Sequence, residues 1–329
     1  MLMGLNQYNE LVYAQHAKID DLYRCPECLS ELIIKKGKHT TAHFAHKSSS
    51  LCIRNRYKRE SIDHLSSKHD IYKSLNGLIQ VDMEYYLSEI DQIPDILINK
   101  KIVIEFQFSP INLDLLISRT EGFKSLNLQV IWIGKNAHYH DGMLYLTIFQ
   151  AALINHEDRT FITYNPTTKC LIRYKDVQVI DQHKFLANKE QIVWRDLLEI
   201  TNIREIPSLF LNDCEYYQYI RKCRKNRSVL EPTLSLLYQS GLIHKERLDI
   251  IGIIVPEQIY ILTHCITWQS YVFFEIKNGT FSFERCLEFI KFRTFYNNSY
   301  SRECVLKKAI HSYLKIIQVK FISRAKISK

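Results

Sequence analysis

"IPDILINKKIVIEFQFS", residues 93–109, consists of two short apolar runs joined by the polar residues 99–101, the pattern of a buried β-hairpin. Apolar strands usually keep charge at their ends. Here Asp95 lies within the first arm, and Glu105 and Gln107 lie within the second. With a three-residue turn, Ile98 pairs with Ile102 and Asp95 falls opposite Glu105; a two-residue turn sets Asp95 opposite Ile104, still beside the acid. Glu105 and Gln107 are two apart and leave one face of their strand. Two carboxylates meeting beside an amide repel unless a cation lies between them, and oxygen ligands with no thiol nearby favour Mg²⁺ or Mn²⁺. The plainer alternative is a turn acid after Pro94 and a strand-end charge at Glu105.

The flanking sequence gives the hairpin its setting. "YKRESIDHLSSKHDIYKSL" (57–75) is helical. At about 100° per residue, Glu60, His64, Lys68, Ile71 and Leu75 share one sector of about 80°, while Arg59, Asp63, Ser66, Asp70 and Lys73 occupy the opposite arc. Three ionisable groups on an inward stripe imply partners or a site, since buried charges persist only when paired. Pairing along the helix, Glu60–His64 and His64–Lys68, is the alternative. "QVDMEYYL" (80–87) reads as a strand, "INLDLLISRTEGFKSLN" (111–127) as a second helix and "LQVIWIG" (128–134) as a buried strand. The strand–helix–strand order over 102–133 fits a right-handed crossover. Three regions follow: an N-terminal module at 1–56, an α/β domain at 57–200, and a mainly helical, basic part at 201–329.

The N-terminal module contains "YRCPEC", with Cys25 and Cys28 at C-x-x-C spacing, then "HFAH" with His43 and His46, then Cys52. A short hairpin with Gly37 in its turn separates the pairs. A structural zinc needs four nitrogen or sulfur ligands, and the preferred set is Cys25, Cys28, His46 and Cys52, with His43 as substitute for His46. Residues three apart on a strand point to opposite faces, so one histidine ligates. The alternative is a pair of ordinary buried thiols.

The formal charge is +9, from 44 Lys and Arg against 35 Asp and Glu, which favours a polyanionic partner, nucleic acid first. Basic residues gather at Lys47, Arg54, Arg56, Lys58 and Arg59, at Arg119 and Lys124, and in "RKCRKNR" (221–227). Residues 281–329 carry 11 Lys and Arg against three Glu, interleaved with aromatic rings that could stack on exposed bases. No run approaches the length of a membrane span, no secretory leader is visible, and the nine cysteines are mostly scattered singly. The expectation is a cytoplasmic protein with reduced thiols.

In order along the chain, "YRCPEC", "HFAH", Cys52, "ES..H...K" at 60–68, "PDILI", "IVIEFQFS", "SRTEGF" and "VIWIG" resemble the bacterial competence protein CoiA family, whose central domain belongs to the PD-(D/E)xK nuclease superfamily. The resemblance implies a restriction-endonuclease-like α/β core, a mixed sheet flanked by helices, beside the zinc-binding β module and the helical C-terminal region. It implies Asp95 and Glu105 as ligands of Mg²⁺ or Mn²⁺, with the Phe106 carbonyl as a further ligand. Glu60 takes the place of a first-helix acid. Gln107 stands where the motif has lysine, and Lys68 could supply that cation from the helix. The implied function is that of a competence protein acting on incoming DNA, single-stranded or in recombination intermediates, through metal-dependent phosphodiester hydrolysis. The alternative is a catalytically inactive, nuclease-fold recombination mediator. Recombination or competence proteins are the expected protein partners.

Overall fold

The computed structural model describes residues 1–37, 40–47, 52, 61–199, 205–226, 231–242 and 250–327. It divides into two compact units, one of Met1–Ala137, Phe161–Tyr174 and Lys189–Thr201, the other of His138–Thr160, Lys175–Asn188 and Asn202–Lys329.

The first unit begins with a small antiparallel sheet of β1 (Met3–Leu5), β2 (Leu11–Tyr13), β3 (Tyr23–Arg24), β4 (Glu31–Gly37) and β5 (Thr40–His46), in the order β2-β1-β3-β4-β5. The expected β4–β5 hairpin is present, with Gly37 paired to Thr40. Its small core gathers Ala14, Ala17, Tyr23, Leu32 and Phe44 around the thiols of Cys25 and Cys52. Gly4 lets the Phe44 ring pack closely there: a Cβ would meet the ring at 3.0–3.2 Å and push it aside.

Helix α1 (Ile62–Leu75) starts at Ser61, whose hydroxyl accepts the His64 N–H. Leu65, Lys68, Ile71 and Leu75 are buried, so the inward stripe is real. Asp70, expected on the solvent arc, is the exception: its carboxylate accepts from Tyr164 Oη at 2.7 Å and pairs with Lys169 at 2.9 Å, with 11% side-chain exposure. A strand from later in the chain covers that arc, which local periodicity does not reveal. Strand β6 (Val81–Met83) is shorter than the run 80–87 expected to form it.

The hairpin is β7 (Ile96–Ile98) and β8 (Ile102–Gln107), with Ile98 opposite Ile102, the register of the three-residue turn. Asn99 and Lys100 turn the corner in left-handed backbone at φ +50° and +51°. Helix α2 (Leu113–Ser125), capped by Asn112, leads to β9 (Gln129–Gly134), which runs parallel to β8. The chain then forms β10 (His138–His140), β11 (Met143–Tyr145), α3 (Ile148–Ala152), β12 (Phe161–Asn165), β13 (Cys170–Asp181) and β14 (Lys184–Ile192). In the first unit the sheet runs β12-β9-β8-β7-β6, with β12, β9 and β8 parallel and β7 and β6 antiparallel, and residues 170–174 of β13 extend it antiparallel to β12. A mixed sheet flanked by helices is the result. All three β7 residues and the centre of β8 are buried, as expected where both faces are covered.

In the second unit, β10, β11 and residues 184–186 of β14 pair antiparallel. The remaining elements are β15 (Leu209–Phe210), α4 (Asp213–Asn226), α5 (Thr233–Ser240), β16 (Ile253–Ile254), α6 (Cys265–Lys277), α7 (Phe283–Phe289) and α8 (Arg302–Ile327). This mainly helical part has its own core around Trp268 and Tyr313, both fully buried. Among the described residues, no helix is long and apolar enough to cross a membrane.

Candidate functional site

Two constellations stand out in the first unit. In the small sheet, the turn after β3 folds Cys25 and Cys28 toward each other, with Leu29 in left-handed backbone (φ +56°) and its N–H on the Cys25 carbonyl at 2.9 Å. His46 ends β5 and brings Nε2 to 3.3 Å from Cys28 Sγ; Cys52 Sγ lies 3.7 Å from Cys25 Sγ. All four ligand atoms lie within 4.8 Å of one another, so the group could hold a metal ion. Two sulfurs each about 2.3 Å from a tetrahedral ion sit about 3.8 Å apart, so this spacing fits one ion. Burial pushes the Cys28 thiol up, but hydrogen bonds from Ser30, His46 and Cys52 outweigh it and bring the pKa down to about 6, close to a thiolate ready to ligate. His43, the substitute ligand, instead places Nδ1 2.8 Å from the Thr41 carbonyl.

The second constellation is the set of hairpin acids. Asp95, 7% exposed, accepts from His64 Nε2 at 2.7 Å and from the Phe106 N–H at 2.9 Å through Oδ2, while Oδ1 lies 3.5 Å from Lys68 Nζ. Burial opposes its ionisation, but the charges of His64 and Lys68 and the two hydrogen bonds win, holding the carboxyl below the usual range. Glu105, 4% exposed, pairs with Arg119 at 2.7 Å. Burial, reinforced by the charge of Asp95, raises its pKa to about 7 against the pull of Arg119 and His64. One acid is therefore firmly ionised, and the other is held near neutrality by its surroundings.

The structure brings Asp95, His64 and Lys68 together, and the hairpin register, which pairs Ile96 with Ile104, points Asp95 and Glu105 to the next position along. Lys68 is fully buried, 2.6 Å from Glu84 as well as near Asp95. Gln107 donates its amide to the Ser109 carbonyl at 2.6 Å. At Phe106 it is the N–H that faces Asp95. Glu60 lies outside the described residues, as do Arg54, Arg56, Lys58, Arg59 and Arg227. Arg119, expected on a phosphate-facing surface, is corrected: its side chain is 14% exposed, because its long stem carries the guanidinium onto Glu105 and the Ile93 carbonyl. Glu84 and Arg119 are the partners that sequence reasoning misses. His64 carries a signal, its place on the inward stripe.

The raised Glu105 has a measurable consequence. Its folded value of about 7 exceeds its ordinary 4.5, so its contribution to stability is fully present below pH 4.5 and is lost as the pH rises through 7. Glu105→Gln should flatten this dependence by on the order of 3 kcal/mol between pH 4.5 and 8, read from urea unfolding at a series of pH values. A variant as pH-sensitive as the parent would contradict the assignment.

Residues 7–53 match the family model "Competence protein CoiA, N-terminal domain", and residues 60–204 match "Competence protein CoiA, nuclease-like domain". The chain is 29% identical over 180 residues to the "Competence protein CoiA" of Bacillus subtilis (strain 168), a match covering 49% of this chain and 48% of that protein. The matched part thus spans about half the length of the curated relative. No solved structure matches the chain.

Proposed function

The chain belongs to the competence protein CoiA family, and from that premise we propose that it acts on incoming DNA during transformation, in the cytoplasm, through metal-dependent phosphodiester hydrolysis on a restriction-endonuclease-like core. What supports this reading is that two buried carboxylates stand at the end of the hairpin, near enough for the charge of Asp95 to act on Glu105, which its own partners compensate incompletely. A buried acid of that kind suits a hard divalent cation, and Asp95 and Glu105 would hold Mg²⁺ or Mn²⁺, with the Phe106 carbonyl as a further oxygen. When bound, such an ion polarises a phosphodiester oxygen and lowers the pKa of a water.

The chain's own residues orient and hold charge. His64 and the Phe106 N–H fix Oδ2 of Asp95, and Lys68 attracts Oδ1, so the carboxylate has one orientation. In this reading Lys68 acts on phosphate through Asp95 rather than by contact, since it is fully buried. Gln107 orients water from the edge of the site, and Glu60, which lies outside the described residues, would add a further acid. The Cys25–Cys28–His46–Cys52 cluster would hold a structural zinc, and four protein ligands would leave no position for substrate. The basic helical part holds the phosphate backbone or a competence partner.

Cleavage of single- and double-stranded DNA with Mg²⁺ or Mn²⁺ tests the proposal. Glu105→Ala should lower the rate by on the order of a hundredfold while leaving DNA affinity in place. Equal rates in both proteins would remove the mechanism.

A second reading, a non-catalytic recombination mediator, draws support from Gln107 and from the protein cations already on each acid, His64 and Lys68 on Asp95 and Arg119 on Glu105. DNA affinity that persists without metal, with no product under any divalent ion, would favour it.

A further inference from the structure

Glu84 stands outside the hairpin and outside both ligand sets, yet it is 5% exposed and sits in left-handed backbone at φ +52°. A non-glycine residue keeps such a conformation only where its surroundings over-determine it. Three bonds do so here. Oε1 lies 2.6 Å from Lys68 Nζ, Oε2 accepts the Leu2 N–H at 2.9 Å, and the Glu84 N–H donates to the Asp95 carbonyl at 3.1 Å. One carboxylate thus joins the N-terminal segment to the cation that faces Asp95.

Leu2 is fastened in turn to the small sheet. Its carbonyl accepts from Ala14 N at 2.8 Å, and the neighbouring Met1 carbonyl accepts from Phe44 N at 2.8 Å. Leu5 pairs with Arg24, next to Cys25, and Phe44 lies two residues before His46 on β5. The four-ligand cluster therefore closes strands on both sides of Leu2. The same sheet grips α1 directly: Tyr13 is hydrogen-bonded to His69 Nδ1 and its ring stacks on His69 at 5.4 Å. Leu2 and Tyr13 share a core with Leu65, Ile71 and Leu75 of that helix.

We propose that Glu84 is a positioning residue through which the N-terminal metal cluster sets the geometry of the acid site. With the cluster filled, the Leu2 N–H holds one oxygen of Glu84, the other oxygen holds Lys68, and Lys68 holds Oδ1 of Asp95. This proposal rests on the reading of Asp95 as part of a functional site, but its test does not need DNA. The Phe106 N–H donates to Asp95 Oδ2, so its amide resonance reports the orientation of that carboxylate.

In the full chain loaded with zinc and labelled with ¹⁵N-phenylalanine, Glu84→Gln should move the Phe106 resonance. An amide has one acceptor oxygen for two donors, so one link is lost while the volume is kept. Removing zinc from the parent should move the resonance the same way, and removing it from Glu84→Gln should move it less than in the parent, by the share that reaches Asp95 through α1 alone. Leu2→Pro and Leu2→Ala form a second pair that keeps zinc in place. Both lose the buried side chain, but only proline loses the N–H, so the displacement attributable to this link should appear with proline and not with alanine. A Phe106 resonance unmoved by Glu84→Gln, equal displacements by zinc removal in both backgrounds, or equal displacements by the two Leu2 variants would overturn the proposal. If the chain cleaves DNA, Glu84→Gln should also slow it by about 10–100-fold, the scale for partners that orient ligating carboxylates. A responsive resonance in a chain that cleaves nothing would defeat the hydrolytic reading and leave this one standing.

Discussion

Replacing Lys68 by alanine is expected to lower the free energy of unfolding by about 3–5 kcal/mol, the range for removing one partner of a buried ion pair. Lys68 has no exposed surface, and its ammonium lies 2.6 Å from Glu84 and 3.5 Å from Asp95. Without it, two carboxylates face each other in a low-dielectric interior and a cavity replaces the side-chain stem. Lys68→Met restores most of the volume and none of the charge, so it should remain nearly as damaging. The double variant Lys68→Met, Glu84→Leu removes both charges and should recover part of the loss, because a matched apolar pair avoids the desolvation cost. Its Leu2 N–H would still lack an acceptor, which keeps recovery incomplete. Urea unfolding of the three proteins decides this. A loss under about 1 kcal/mol for Lys68→Ala would mean that the pair is screened, as at a surface.

Stripping the proposed zinc, or replacing Cys52 by serine, should unfold the N-terminal sheet outright. Apparent zinc-binding energies in small structural sites are about 10–16 kcal/mol near neutral pH, as large as the stability of a whole domain. The five short strands of this sheet enclose only a small core around Cys25 and Cys52, too little to hold together alone. Amide exchange should lose its protection across residues 1–46, and Leu2 and Tyr13 should leave the core they share with α1. Zinc content measured on the purified chain, followed by exchange with and without chelator, tests this. Protection unchanged in zinc-free protein would make the four ligands a structural coincidence.

Much of the site is legible in the sequence because its signals are local. Alternation and turn length place Asp95 opposite Glu105, the 3.6-residue period brings His64 and Lys68 inward, and C-x-x-C followed by "HFAH" and Cys52 supplies the metal-competent set. The partners that balance those charges are not local. Glu84 hides in an alternating run read as strand, where nothing marks its left-handed backbone. Arg119 looks like a surface cation on an amphipathic helix until its reach onto Glu105 is known. Asp70 belongs to the arc that periodicity assigns to water, and Tyr164, 94 residues further on, covers it. Spacing along one element predicts which face a side chain takes, but not what another element brings to that face.

Where β7 runs out, the side chain of Asp95 takes the Phe106 N–H that a further strand residue would otherwise have taken. The carboxylate therefore serves as a piece of backbone as well as a proposed metal ligand. Under the proposed function, alleles at position 95 will combine low protein abundance with lost chemistry in a genetic screen of transformation. Under the same reading, alleles at Gln107, at the half-exposed end of β8, will report the chemistry with the protein level intact.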